Sequence, residues 1–184
     1  MRLRSVIVLS AVILFAMPAL SAAQRREEPQ AGTVAIGFEG GFLVPDEDFH
    51  TGFTPAALAE FYIGPRVSLR AMGGWSRNEF VSWNNRYLEQ WRMSFNVIYN
   101  WEAEYWHPYV MAGIGGHRVR TWEDDVTQTP WQSRVGYNVG GGIEYFARPK
   151  VTFKFEAAYY YCDHPPLVHE SSGLALTVGM KKYF

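Results

Sequence analysis

The chain has 184 residues, of which 17 are basic and 18 acidic, and its formal charge at neutral pH is −1. This balance lacks the basic excess that usually accompanies nucleic-acid binding, so no nucleic-acid partner is expected. Cys162 is the only cysteine, which excludes an internal disulfide, and the charged fraction of 19% lies below the roughly 25% of an average globular chain.

The start of the chain predicts an export signal. Arg2 and Arg4 precede an apolar run over residues 6–17, Pro18 breaks the run, and small residues at 21–23 suit cleavage. We expect residues 1–23 to be removed as a signal peptide, 24–32 to form a short periplasmic segment and 33–184 to form one domain. Without the two arginines, 15 basic residues stand against 18 acidic ones, a formal charge of −3. No later segment approaches the roughly 18 consecutive apolar residues of a membrane helix, so a membrane location requires a barrel.

Apolar and polar residues then alternate with a period of two along eight stretches, the pattern of strands with one apolar face. The predicted strands cover residues 33–44, 57–63, 67–75, 88–100, 108–117, 135–145, 151–161 and 174–181. Connections after the odd-numbered strands are long, about 11–17 residues, and those after the even-numbered strands are short, about three to seven. Short turns at one rim and long loops at the other predict an all-β fold, an eight-stranded antiparallel up-and-down transmembrane β-barrel.

The composition of the two faces indicates which one lies outside. A soluble eight-stranded barrel, such as a lipocalin, would fill its polar face with long solvated side chains, but here that face holds mostly Gly, Ala, Ser, Thr and Asn. The apolar face is bulky and almost free of charge, and a charge there would cost about 2–4 kcal/mol at the bilayer midplane. Aromatic residues near the predicted strand ends also suit a membrane interface: Trp75, Trp83, Tyr87, Trp101, Tyr105, Trp106, Tyr109 and Tyr161. We therefore predict lipid outside.

An apolar outer face places four acidic and four basic residues in the lumen: Glu39, Glu60, Arg70, Arg92, Glu144, Lys154, Glu156 and Lys181. Buried charges need partners, and eight strands leave little interior room. This predicts a plugged polar lumen with a charge network and a structural or surface-interaction role. A narrow channel for small or apolar solutes is the alternative.

Two stretches repeat one pattern, EFYIGPRVSLR over residues 60–70 and EYFARPKVTFK over residues 144–154. A turn over residues 64–66 sets Glu60 opposite Arg70, and a turn over residues 148–150 sets Glu144 opposite Lys154. Both pairs lie on the predicted lumen face, so each hairpin is expected to bring its own compensating charge inside.

The segment LALTVGMKKYF, which ends at Phe184, resembles the C-terminal signal by which outer-membrane barrels are recognised for assembly. With the export signal and the strand pattern, it makes the mature chain similar to the small eight-stranded outer-membrane barrels, of the kind found in the transmembrane domain of outer-membrane protein A. The resemblance implies a monomer in outer-membrane lipid, both termini in the periplasm, and contact with the barrel-assembly machinery.

No catalytic residue, cofactor or metal site is predicted. Some small outer-membrane barrels are lipid-modifying enzymes that use a Ser and a His, but His169 and Ser171 lie in a loop before the last strand and lack that pattern. Asp163, His164 and His169 share this loop without zinc-ligand spacing. Aromatic and acidic residues in the long loops suit an extracellular ligand.

Overall fold

The computed structural model describes residues 29–45, 50–80, 86–101, 105–123, 126–127, 130–162 and 172–184. The strands in these ranges are β1 (Val34–Pro45), β2 (Gly52–Phe53), β3 (Ala56–Tyr62), β4 (Val67–Glu79), β5 (Arg86–Asn100), β6 (Trp106–Glu123), β7 (Val126–Thr127), β8 (Gln132–Arg148), β9 (Val151–Cys162) and β10 (Gly173–Tyr183). The described part holds no helix long and apolar enough to cross a membrane. The predicted export signal over residues 1–23 lies outside the described ranges.

The eight long strands form one closed antiparallel barrel, as predicted. Each pairs with the next long strand along the chain, and β10 pairs with β1 to close the sheet. The two-residue strands β2 and β7 extend the sheet beside β1 and β6. Longer connections and short turns therefore lie at opposite rims, called here the long-connection rim and the short-turn rim. The residues before β1 and after β10 lie at the short-turn rim.

Side chains alternate between an apolar exterior and a polar interior. Along β5, Met93 and Phe95 are 68% and 67% exposed, whereas Arg92, Ser94 and Asn96 are buried. The same alternation runs along β1, where Ile36 and Phe38 face outward. An exposed apolar belt around an interior of buried charges is the pattern of a barrel that lies in lipid.

Several strands at the long-connection rim are longer than predicted. Residues 77–80 and 86–87 were expected in one loop and residues 118–134 in another, but β4, β5, β6 and β8 include most of them. Charged residues such as Arg77 and Arg120 take outward positions there while Leu88 and Val119 are buried inside, so the apolar-outward alternation that signals a strand is lost although backbone pairing continues. The Arg77–Glu89 and Glu89–Arg120 register pairs belong to this extension.

The two repeated hairpins have the predicted registers but different turns. Glu60 lies opposite Arg70 and Glu144 opposite Lys154. In the second hairpin the register shifts between Phe146 and Arg148, and Arg148 pairs with Val151. The turn there consists of residues 149–150 rather than the predicted 148–150, because a bulge takes up the extra residue.

Gly142 shows why the interior needs small residues beside large ones. A Cβ atom at this position would lie 2.6 Å from the hydroxyl oxygen of Tyr109 and 2.3 Å from the backbone oxygen of Phe155. The absent side chain leaves the space that the inward-facing Tyr109 ring occupies. Glycines on the strands of this narrow barrel thus permit close packing.

Contact of the apolar belt with lipid can be tested by placing a charge in it. Phe95→Arg should lower the free energy of unfolding in lipid vesicles by about 2–4 kcal/mol, because it places a charge near the middle of the apolar belt. Reversible unfolding by denaturant, followed by tryptophan fluorescence, would measure the change. Phe95→Leu is the matched control and should cost far less; an equal loss in both variants would contradict lipid exposure of this face.

Candidate functional site

The eight charged residues predicted for the lumen all lie inside the barrel, and each is at most 6% exposed. They come from seven strands: Glu39 from β1, Glu60 from β3, Arg70 from β4, Arg92 from β5, Glu144 from β8, Lys154 and Glu156 from β9, and Lys181 from β10. Alternation along each strand turns these side chains inward, and closure brings them together. The structure therefore presents a buried cluster of charges as its candidate functional site.

Arg70 is the centre of this cluster. Its Nε lies 2.9 Å from Glu60 Oε2 and its Nη1 lies 2.6 Å from Glu156 Oε2. The third contact joins Nη2 to Glu144 Oε1 at 3.6 Å. One guanidinium thus links carboxylates from three other strands, which its planar fork of donors allows.

Two lysines extend the network. Lys181 Nζ lies 2.6 Å from Glu144 Oε1 and 3.0 Å from Glu60 Oε2. Lys154 Nζ lies 2.9 Å from Glu156 Oε2 and also forms an ion pair with Glu39. Lys154 and Glu156 lie on one strand, whereas the other three pairs join different strands. Glu144 and Lys154 lie opposite each other as expected, but their described ion pairs are formed with these other residues and not with each other. Four acids and three bases therefore belong to one connected network.

Arg92 lies apart from these ion pairs. Its Nη2 donates a hydrogen bond to the hydroxyl of Thr54, and its guanidinium carbon lies 4.6 Å from the centre of the Tyr160 ring. Its Nη1 atom is buried without a hydrogen-bond partner. Polar side chains lie nearby. Gln90 Nε2 and His117 Nδ1 are 2.7 Å apart, and Asn138 Nδ2 donates a hydrogen bond to Asn96 Oδ1 at 2.5 Å.

Three tyrosines complete the network, and sequence reasoning missed their role. The hydroxyl of Tyr109 donates to Glu156 Oε2 at 2.5 Å, and that of Tyr183 donates to Glu144 Oε2 at 2.9 Å. The Tyr62 and Tyr183 hydroxyls are 3.2 Å apart. Tyr109 was predicted at the membrane interface but is only 2% exposed. Gly113, Gly115 and Gly116 weaken the alternation of apolar and polar residues along its strand, so the sequence does not show that Tyr109 points inward.

The described part of the chain adds no candidate metal centre to this cluster. Within the described ranges, no group of three or more His, Cys, Asp or Glu side chains could hold a metal ion. Asp163, His164, His169 and Ser171 lie outside those ranges. Phe184 donates its backbone N–H to the oxygen of Val34 at 2.9 Å, and its side chain is 63% exposed. Its part in assembly stays a prediction.

Comparisons with known proteins agree with this geometry. A family model described as "Outer membrane protein beta-barrel domain" matches residues 7–180. No curated protein has a significant sequence match to the chain.

Three solved structures illustrate the similarity of fold. The N-terminal barrel of Pseudomonas aeruginosa OprF has a TM-score of 0.64 and 16% identity, over 84% of this chain and 98% of that chain. Neisserial surface protein A has a TM-score of 0.67 and 17% identity, over 83% of this chain and 96% of that chain. Ail, the attachment invasion locus protein of Yersinia pestis, has a TM-score of 0.53 and 12% identity, over 85% of this chain and all of that chain.

Because Arg70 is central to the network, we expect its replacement to lower stability strongly and a second substitution in the network to recover part of the loss. Arg70→Met should lower the free energy of unfolding by about 3–5 kcal/mol, because it leaves buried carboxylates without their cation. Arg70→Met combined with Glu156→Gln restores the balance of charge and should lose less than the single variant. Denaturant unfolding of the folded barrel would measure both. Arg148→Met, at an exposed position on the short-turn rim, is the matched control; a double variant no better than Arg70→Met alone would contradict the network.

Proposed function

Because the chain belongs to the outer-membrane β-barrel domain family, we propose that it is a closed, non-catalytic barrel with a structural or surface-interaction role. Its lumen is plugged by the charge network, and its long-connection rim is the surface that meets extracellular partners. Both termini lie in the periplasm, the chain acts as a monomer, and the barrel-assembly machinery inserts it.

The single observation that carries the plugged lumen is the bridging of Arg70 to Glu60, Glu144 and Glu156 across the interior. Its side chain is fully buried and the carboxylates are at most 2% exposed. A solute that displaced these ion pairs would leave charged partners buried. Such a rupture costs about 3–5 kcal/mol for each broken pair. The network therefore favours a closed barrel.

The shape of the long-connection rim supports a surface-interaction role. β4, β5, β6 and β8 continue past the apolar belt and bring polar and aromatic side chains with them. Among the structures of similar fold, Ail is named for attachment and invasion and has been solved with the heparin analogue sucrose octasulfate. By analogy, we propose that the long-connection rim of this chain binds an extracellular ligand.

A narrow channel is the second candidate, and one observation favours it. Ser76 Oγ, Thr177 Oγ1 and Arg92 Nη1 are buried in the barrel without a hydrogen-bond partner. Buried polar atoms of this kind are usually satisfied, often by water. A chain of waters beside the network would provide a path for small solutes.

Conductance measurements separate the two candidates. The folded protein in a planar bilayer should show no single-channel current, because the ion pairs obstruct the lumen. Arg70→Ser combined with Glu156→Ser keeps the charge balance, removes the central bulk and should produce measurable current. Arg148→Ser is the control and should remain silent. A unit conductance of the unaltered protein equal to that of the double variant would refute the plugged lumen and favour the channel.

A further inference from the structure

A group of arginines and aromatic rings lies on the outer face of the barrel near the long-connection rim. We call it the basic aromatic patch and define it by Arg77, Arg118, Arg120, Trp91, Trp122 and Trp131. The four strand residues Arg77, Trp91, Arg118 and Arg120 have the outward parity of the exposed apolar residues Leu69, Phe95 and Ile114 on their strands. Trp122 shares this parity on β6, and Trp131 contacts Arg118 and Arg120 from the segment before β8. The patch therefore faces the membrane side of the sheet and not the lumen.

The patch begins where the apolar belt ends. Along β5 the outward residues are apolar from Trp91 to Tyr99, a stretch close to the roughly 9–11 residues with which a strand crosses a bilayer. The next outward residue beyond Trp91 is Glu89, and it lies opposite Arg77 and Arg120. Arg118 lies directly opposite Trp91. Trp side chains favour the membrane interface, so the arginines are at the level of lipid headgroups.

Glu89 organises one side of the patch. Its carboxylate accepts hydrogen bonds from Arg120 Nε at 2.7 Å, Trp122 Nε1 at 2.9 Å and Trp75 Nε1 at 3.1 Å. With its ion pair to Arg120, these contacts hold the Arg120 guanidinium in place.

The aromatic rings frame the guanidinium groups. The Arg120 guanidinium carbon lies 4.2 Å from the centre of the Trp122 ring and 4.3 Å from that of Trp131. The Arg118 carbon lies 5.4 Å from the Trp131 ring, and Arg118 is exposed. Stacking against the rings restricts the planes of these cations.

We propose that the basic aromatic patch binds the phosphate group of a phosphorylated lipid headgroup in the outer leaflet. Guanidinium groups match phosphate oxygens with paired hydrogen bonds, and the adjoining apolar belt contacts the acyl chains of the same lipid. At the long-connection rim, the described outward charge lies on β4, β5 and β6. At this rim, the described outward residues of β1, β9 and β10 include Val44, Tyr161 and Leu174 and no charged side chain. One oriented lipid, rather than a uniform shell, is the occupant that this asymmetry fits.

Native mass spectrometry of the folded, detergent-solubilised protein tests the proposal with bis-phosphorylated lipid A and the same lipid after dephosphorylation. The protein should retain the phosphorylated form at least about tenfold more tightly, because several cations contact the phosphate. Arg118→Gln should weaken this binding about fivefold, and Arg77→Gln combined with Arg118→Gln should weaken it further. Arg148→Gln, an exposed position at the opposite rim, is the matched control and should bind as the unaltered protein does.

Three results would overturn the proposal: equal retention of the two lipids, unchanged binding by a folded Arg118→Gln variant, or binding of inorganic phosphate alone that requires Arg118. The last would assign the patch to free phosphate and not to a headgroup. Heat-modifiable migration on a denaturing gel checks that each variant is folded. Should Arg118→Gln fail to fold, the comparison of the two lipids on the unaltered protein decides.

Discussion

The closing of the backbone ladder between β1 and β10 is the constraint on which the rest of this structure depends. Inside a bilayer, backbone N–H and C=O groups have no water to bind, so an open sheet edge would leave a row of them unsatisfied. Pairing the first long strand with the last removes both edges. It also fixes the parity of every strand at once, because alternate residues must then face either lipid or the enclosed interior.

Closure with only eight long strands makes the interior narrow, and this explains its composition. Charged side chains that are turned inward have almost no solvent and must satisfy one another. Arg70 does so through three carboxylates, while the Tyr109 hydroxyl supplies a further donor to Glu156. The large residues fit because others are as small as Gly142. Packing and electrostatics in the lumen therefore depend on each other: the space left by Gly142 allows the Tyr109 hydroxyl to reach the Glu156 carboxylate.

The outer face has two zones along the barrel axis, an apolar belt and a charged band near the long-connection rim. Across the apolar belt, outward side chains contact lipid and carry almost no charge. Beyond Trp91, the same outward parity brings Glu89, Arg118 and Arg120 to the surface. A charge that would be costly at the midplane costs little at the interface, so these strands continue with charged residues on their outward face. Membership of the family accounts for the barrel fold and its outer-membrane location. The partners of the long-connection rim depend instead on the side chains of this particular chain.

The sequence by itself determined the strand number, the antiparallel order, the lipid-facing side and the two hairpin registers, because alternation with a period of two encodes each of them locally. It also placed the eight lumen charges on the inner face. Only the tertiary structure decided which charges meet: Lys154 pairs with Glu39 and Glu156, and Glu144 with Arg70 and Lys181. Apart from Glu156, which lies two residues from Lys154 on β9, those partners come from strands that closure and stagger bring together, and no local pattern records that distance. The extension of β4, β5, β6 and β8, and the inward direction of Tyr109, escaped prediction for a related reason. Where charged residues take the outward positions, or where glycines remove the contrast, the apolar-outward alternation is lost although the hydrogen-bonded ladder continues.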